Sequence, residues 1–307
     1  LPSSIPGIRP KLREAAESLE LIVVVDTMPA EITGYADIIL PECTYLERYD
    51  VLRNSGARVP SLALRMPAFE PRYQSKPGWW IARKIGLALG LEKYYPWQDY
   101  SEVLDWQLKQ VGSSLEEMQR LGVKPFPRKS PLYFGTAEPR RFWTPSGKIE
   151  LYSQELADAG VDPLPRFTQP QEPPEDYYRL NYGRMPAHTF GRTTNNPLLF
   201  QLAPENTLWV NPLVAKQWKL ESGAYVRLRN QDGIVSNPVR VRVTERTGPN
   251  AVFMAHGFGQ RSPKMRLNHG AGADDSELMS RLLIDPIMGA TGMRGNFVTF
   301  VQESGKA

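Results

Sequence analysis

The apolar positions set a framework before any other property is considered. Residues 9–20 place Leu12, Ala15, Ala16 and Leu19 at helical spacing, the stripe of an amphipathic helix. Residues 21–25 (LIVVV) follow, apolar on both faces, as in a parallel strand covered by helices on either side. The run ends in Asp26 and Thr27, and polar residues at the carboxyl end of a strand are where open α/β sheets take ligands. A second apolar group, residues 36–40, stops at Pro41. Helix, strand, polar turn and strand form the tail of a doubly wound α/β unit, too short to be a complete one.

The periodicity then weakens over residues 53–77, where Pro60, Pro67, Pro71 and Pro77 predict loop or extended chain. Residues 79–91 carry Ile81, Ile85, Ala88 and Leu89 on one stripe and predict a helix, as do residues 100–111. Proline recurs through residues 125–174, which marks a domain boundary. Beyond residue 176 the period becomes two. Val226 and Leu228 alternate with Arg227 and Arg229, Asp232-Gly233 reads as a turn, and Val239, Val241 and Val243 alternate with Arg240 and Arg242. Residues 208–210, 251–254 and 297–301 are further strand candidates, a spacing that suits a closed barrel or a sandwich. The expected division is a partial α/β segment at 1–78, a helical and irregular connection at 79–175, and a β-domain at 176–307.

Composition narrows the function class only slightly. A chain of 307 residues has room for about two folded units. With 41% hydrophobic and 23% charged residues it is neither disordered nor fibrous. No apolar run approaches the ~20 residues of a bilayer crossing. A net charge of +4, with both signs interspersed, suits an anionic small ligand and gives no concentrated basic face for nucleic acid. The single cysteine, Cys43, excludes an internal disulfide or a cysteine cage on this chain. Residues 1–7 have no initiator Met and no signal-peptide pattern, which reads as an internal start of a processed or longer polypeptide.

Motifs of nucleotide phosphate loops, zinc proteases and serine hydrolases are missing. His188, His256 and His269 match no metal-ligand spacing and read as polar residues in strand-end loops. Cys43 has no neighbouring His or Lys to activate it and reads as a buried inert thiol. Residues 182–196 differ in kind. They hold Tyr182, Gly183, Arg184, His188, Thr189, Gly191, Arg192, Thr193, Thr194, Asn195 and Asn196 at the entrance to the β-domain. Arginines, hydroxyls, amides and close-approaching glycine backbone suit a diphosphate or a heterocycle, and a plain polar loop fits that composition equally well. Residues 256–260 (HGFGQ), 270–277, Asp285-Pro286 and 295–297 read as turns.

The residues themselves resemble a family. The strand 22–25 with Asp26 and Thr27, the pattern ADIILP at 36–41 and LER at 46–48 look like the late α/β domain of the molybdopterin oxidoreductases, the dimethyl sulfoxide reductase superfamily. SGKIEL at 146–151, the stretch from Trp209 through Asn211 and Pro212 to Gly223, and HTFGRTTNNP at 188–197 are similar to that family's C-terminal barrel, most closely to its polysulfide and thiosulfate reductase branch. The resemblance implies an α/β domain followed by a double-psi-type β-barrel that binds a molybdopterin dinucleotide, within a molybdenum bis(molybdopterin guanine dinucleotide) enzyme. By resemblance, Val25, Asp26 and Thr27 match a strand end that contacts guanosine, and Arg48 matches a basic residue after it. Tyr182, Gly183, Arg184, His188, Thr189, Arg192, Thr193, Thr194 and Asn195 match the loop around a pterin and its diphosphate. Phe258 matches an aromatic after a barrel strand, and Asn296 a terminal polar contact. Ser276 falls in Asp274-Asp275-Ser276, where the family often has an asparagine.

One cysteine cannot hold a four-thiolate cluster. A 4Fe-4S cluster and the molybdenum ligand would therefore belong to an N-terminal remainder of the same subunit, and this chain alone would not turn over. The implied reaction is two-electron reductive cleavage of a sulfur–sulfur bond in anaerobic respiration. The implied partners are an iron–sulfur electron-transfer subunit and an integral membrane anchor on the periplasmic side. A formate dehydrogenase or another oxyanion reductase of the same family is the alternative within the class, and a non-catalytic dinucleotide-binding module the alternative outside it.

Overall fold

The computed structural model describes residues 14–127, 142–164, 166–167, 169–262, 264–285, 289–292 and 295–301. Of the readings above, residues 9–13 of the first helix, Pro165 and Pro286 lie outside the described residues. Residues 14–17 are helical. Contacts divide the chain into two compact units, one of residues 1–42 with 170–307 and one of residues 43–169.

In the first unit, strands β1 (Val23–Asp26) and β2 (Ile38–Pro41) pair in parallel, with Val24 opposite Ile39. A single 3-10 turn, Glu31–Gly34, lies in their connection. Val24 is buried, whereas Val23, Val25, Ile38 and Ile39 are exposed. The apolar run therefore makes the expected parallel strand, and most of its side chains are uncovered within this chain.

The second unit has its own sheet and helices. Strands β3 (Arg53–Ser55), β4 (Ser61–Ala63) and β5 (Val123–Pro125) form a three-stranded antiparallel sheet. The extended chain read at 53–77 thus supplies two of its strands. Helices α1 (Gly78–Ala88) and α2 (Tyr100–Lys109) follow the predicted stripes, and α3 (Leu115–Leu121) is a further helix that the periodicity does not predict. Asp99 caps α2 through Ser101 N–H, and Ser114 caps α3 through Glu117 N–H. Leu64, Leu104, Leu108 and Met118 form the buried centre of this unit. A short helix, α4 (Gln154–Asp158), lies further along the chain. Cys43 is fully buried and its Sγ lies 3.7 Å from Ser75 Oγ. Burial pushes the thiol above its ordinary pKa, so it stays protonated and inert.

The β-domain of the first unit is a closed six-stranded barrel. Strands β6 (Tyr178–Gly183), β7 (Thr207–Val210), β8 (Tyr225–Asn230), β9 (Val239–Val243), β10 (Ala251–Ala255) and β13 (Phe297–Val301) close in the order β10-β6-β13-β8-β9-β7, and a two-stranded pair, β11 (Leu283–Ile284) with β12 (Thr291–Gly292), lies outside it. Period-two patterning decides which side faces in. Along β8, Val226, Leu228 and Asn230 are buried while Tyr225, Arg227 and Arg229 are exposed. Leu180, Leu208, Val210, Val241, Val252, Met254 and Val298 complete the interior. Each such side chain stabilises the fold by about 1.5–3 kcal/mol relative to exposure.

Strand directions decide where the loops go. β6 and β10 are parallel, as are β7 and β9, and β13 is antiparallel to both β6 and β8. The connections leaving β6, β8 and β10 consequently all emerge at one end. Helix α5 (Pro197–Leu202) lies in the first of these and helix α7 (Asp275–Leu278) in the third. The opposite end carries helix α6 (Pro212–Trp218), capped by Asn211 through Leu213 N–H, and a short turn before β10.

Candidate functional site

The polar segment after β6 folds into a knot of local bonds at the loop-rich end of the barrel. Gly183 is the last residue of β6. Its carbonyl accepts from His256 N–H (2.9 Å), and a side chain there would meet the Phe253 ring at 3.1 Å. Arg184 lies exposed with its guanidinium 5.1 Å from the Phe190 ring centroid, an orientation that leaves its N–H edges open. His188 is buried, with Nε2 2.8 Å from Ala203 O and its ring edge-on to the buried Phe258. Thr193 Oγ1 accepts from Thr189 N–H (2.8 Å) and lies 3.4 Å from His188 Nδ1. Thr194 Oγ1 donates to Gly191 O (3.0 Å), and Asn195 Oδ1 accepts from Leu267 N–H (2.9 Å). Arg192 is exposed. The hydroxyls and amides hold the loop, and the arginines are its open charges.

Against this loop lies the segment after β10. His256 and Asp275 are both buried, and His256 Nδ1 lies 2.8 and 2.9 Å from the two Asp275 carboxylate oxygens. Burial works against a charged imidazole, but the hydrogen bond and charge of Asp275, with Asp274 adding to them, outweigh it and hold His256 above its ordinary pKa. The Tyr182 and Phe190 rings flank the imidazole at 6.0 and 5.3 Å. Gly257 adopts φ +102°, and a Cβ there would strike Gly191 N at 2.2 Å. Gly259 adopts φ +69°, and a Cβ there would strike Asp274 N at 2.5 Å. Only glycine lets the three backbones meet so closely. The glycines read as turns are therefore packing requirements of this cluster.

Ser276 is buried and gives both its N–H and its hydroxyl to Asp274 Oδ1 (2.9 and 2.6 Å), which caps α7. Asn206 is also buried. It donates to Ala255 O and Ala273 O, both at 2.8 Å, and accepts from Ala273 N–H, tying the start of β7 to the end of β10. Asn296 sits just before β13. It accepts from Gln231 Nε2 and Arg281 N–H and donates to Arg281 O (2.9 Å), joining the connections that follow β8 and β10.

The α/β strand end reaches the same cluster. Asp26 Oδ1 accepts from Thr27 N–H (2.7 Å), an Asx turn that closes β1, and Val25 and Thr27 are exposed. In the turn that follows, the buried Glu31 carboxylate accepts from Arg261 N–H (2.9 Å) and Ser262 N–H (3.0 Å). Gly34 packs so tightly on Ser262 that a Cβ would lie 2.6 Å from its Oγ. Arg48 belongs to the other compact unit, near Tyr100. The structure thus gathers at or beside one barrel end the residues from Tyr182 to Asn195, Phe258, Ser276 and Asn296, and clamps the loop after β1 onto it. Glu31, Gln260, Asn268 and the His256–Asp275 pair belong there too. Sequence reasoning gave Glu31 no role, and nothing local marks it, because its partners lie about 230 residues away.

This end of the barrel suits an anionic heterocyclic ligand. It has open guanidiniums, and it leaves two fully buried amide oxygens, Gln260 Oε1 and Asn268 Oδ1, without a donor. Among the described residues no group of three or more His, Cys, Asp or Glu could hold a metal ion. A closed six-stranded barrel with a polar, arginine-bearing end, beside an α/β strand end, defines the class.

The comparisons agree. Residues 9–87 match the family model for molybdopterin oxidoreductase and residues 178–294 that for the molybdopterin dinucleotide-binding domain. The chain belongs to the molybdopterin oxidoreductase family. It is 32% identical over 279 residues to the thiosulfate reductase molybdopterin-containing subunit PhsA of Salmonella typhimurium, covering 83% of this chain and 36% of that protein. It is 28% identical to dimethyl sulfoxide reductase DmsA of Escherichia coli (82% and 34%) and 25% identical to acetylene hydratase of Syntrophotalea acetylenica (84% and 34%). The chain spans about a third of the length of these relatives. The solved acetylene hydratase from Pelobacter acetylenicus superposes with a TM-score of 0.79 at 22% identity, over 96% of this chain and 42% of that one, and shares its fold. Among the described residues no helix is long and apolar enough to cross a membrane.

Proposed function

We propose that this chain is the C-terminal cofactor-binding portion of a catalytic subunit that reduces thiosulfate or polysulfide at a molybdenum bis(molybdopterin guanine dinucleotide) centre. The observation that carries the reading is the convergence of the two longest barrel connections, those after β6 and β10, on one polar, arginine-bearing end, in a chain whose likeness to a thiosulfate reductase subunit runs through 83% of its length. When bound, the molybdenum centre supplies two-electron redox chemistry. The residues of this chain bind and orient.

Arg184 and Arg192 offset the diphosphate charge with charge-assisted bonds. The Gly257–Gly259 backbone allows close approach, and His188, Thr189, Thr193, Thr194 and Asn195 hold the loop that positions the arginines. Val25, Asp26 and Thr27 present the strand end to the guanosine, with Asp26 as an acceptor for its N–H groups. Tyr182 and Phe258 supply ring surface, and Ser276 and Asn296 fix the remaining connections. The cleavage takes up two electrons and breaks the sulfur–sulfur bond, releasing sulfide and, from thiosulfate, sulfite. An iron–sulfur electron-transfer subunit and a membrane anchor on the periplasmic side complete the proposed complex, with a 4Fe-4S cluster in the remainder of the same subunit.

The test is turnover by the full-length subunit, purified with its complex and supplied with a reduced viologen. The expected result is oxidation driven by thiosulfate or polysulfide in preference to dimethyl sulfoxide, nitrate and formate-linked reactions. Turnover with dimethyl sulfoxide or nitrate alone would overturn the substrate assignment.

A further inference from the structure

The outer wall of the barrel carries a concentration of positive charge that the candidate site does not use. Strands β8, β9 and β7 are neighbours there, and period-two alternation turns Tyr225, Arg227, Arg229, Arg240, Arg242 and Trp209 away from the interior. Trp209 lies half-buried opposite Arg242, with the Phe253 ring 4.9 Å away on the next strand. The guanidiniums of Arg242 and Arg246 both stand over the Trp209 ring, 5.2 and 5.8 Å from its centroid. A guanidinium stacked on a ring keeps its N–H edges open to an acceptor outside. β9 runs away from the loop-rich end, so Arg246, beyond its last residue, lies toward the other end of the barrel.

Little on this wall balances the charge. Among the described residues its ion pair joins Arg240 Nε to Glu205 (2.8 Å), and the same carboxylate accepts from Tyr225 OH at 3.1 Å. Arg227, Arg229, Arg242 and Arg246 are exposed and form no ion pair among the described residues, and the exposed Glu245 beside them pairs with neither Arg242 nor Arg246. Two like charges are thus held over one ring with no carboxylate between them, an arrangement that an acidic neighbour would relieve.

The choice of residues identifies the neighbour. A flat sheet face spreads its donors over three strands and encloses no small anion. An anionic lipid surface attracts lysine and arginine alike, yet these three strands hold no lysine. Arginine, tryptophan and tyrosine without lysine is the composition of protein interfaces, where the planar guanidinium takes carboxylates in pairs of bonds. We infer that this wall is the docking face for an acidic surface of a partner subunit, whose carboxylates pair with Arg242, Arg246, Arg227 and Arg229 around the Trp209 ring. The assignment rests on the multi-subunit complex proposed above and adds where one of its contacts lies.

The test pair is the full-length catalytic subunit and the separately purified iron–sulfur subunit. Phenylglyoxal labelling read by peptide mass spectrometry should modify Arg242 and Arg246 in the catalytic subunit alone and spare them in the complex. Arg242→Glu/Arg246→Glu should weaken association by roughly tenfold or more, with the largest effect at low salt. Arg242→Gln/Arg246→Gln should weaken it less and serves if the charge reversal fails to fold. Viologen-driven turnover by either variant should match the wild type, because neither arginine belongs to the candidate site.

Wild-type association by the reversal variant would overturn the inference, as would equal labelling with and without the partner. Arginines already protected in the lone full-length subunit would show that the remainder of that subunit covers the wall, and would overturn it too. So would wild-type binding to phosphatidylglycerol vesicles, or self-association of the subunit, that the reversal abolishes while association with the iron–sulfur subunit persists. A wild type that does not associate at all also contradicts this docking face. The reductase reading stands or falls separately, on viologen turnover.

Discussion

His256 and Asp275 form a buried ion pair in the barrel-end cluster when the imidazole is protonated. Because the imidazole pKa is raised in the native state, the stabilisation from this pair is fully present below the ordinary histidine value of about 6.5. It is lost as the pH rises through the raised native value. Thermal unfolding followed from pH 5.5 to 9 should show that loss in the wild type and a flatter profile in Asp275→Asn. The variant should also be less stable by roughly 3–5 kcal/mol at the acid end, where one buried partner is left without its charge. Cys43 makes the opposite prediction. Its buried, raised thiol should react with a thiol reagent only as fast as its unit opens, so labelling should be slow in buffer and complete in denaturant.

Among the elements, the connections matter more than the strands. Glu31→Ala leaves the Arg261 and Ser262 amides without their acceptor, and each orphaned buried donor costs about 1–3 kcal/mol. Hydrogen exchange should show residues 256–262 opening faster in that variant while β6 and β10 stay protected. Asn296→Ala should destabilise by a similar amount, since it removes three bonds that join Gln231 and Arg281. Five of the six barrel strands could be read directly from the chain because alternation such as Val226, Leu228 and Asn230 is a local consequence of one face being buried, whereas β6, whose last residues Tyr182 and Gly183 read as part of the polar segment, was not among them. The cluster at their ends could not. Asp275 lies 19 residues from His256, and Asn206 bonds Ala273 across 67 residues, so each looks like an ordinary turn or cap residue until the barrel closes. The polar loop after β6 was legible as a composition but not as a structure. Nothing in Thr193 or Thr194 says that their hydroxyls face inward to hold the loop while Arg184 and Arg192 face out.

For the molecule as a whole, the parallel pair β1 and β2 is poorly covered, with Val23, Val25, Ile38 and Ile39 exposed. Parallel strands are ordinarily buried on both faces. In the isolated chain, exchange should therefore be fast in β1 and β2 and slow in the barrel, whose interior residues Leu180, Leu208, Leu228 and Val252 are fully buried. The proposed binding surface for a dinucleotide lies at one barrel end and, by way of Glu31, beside the end of an α/β strand. Mass spectrometry with metal analysis of the polypeptide from its native source decides whether that surface serves the proposed cofactor. A subunit longer than this chain, carrying molybdenum and a guanine dinucleotide pterin, is the predicted result, and a species of about 35 kDa with neither would contradict it.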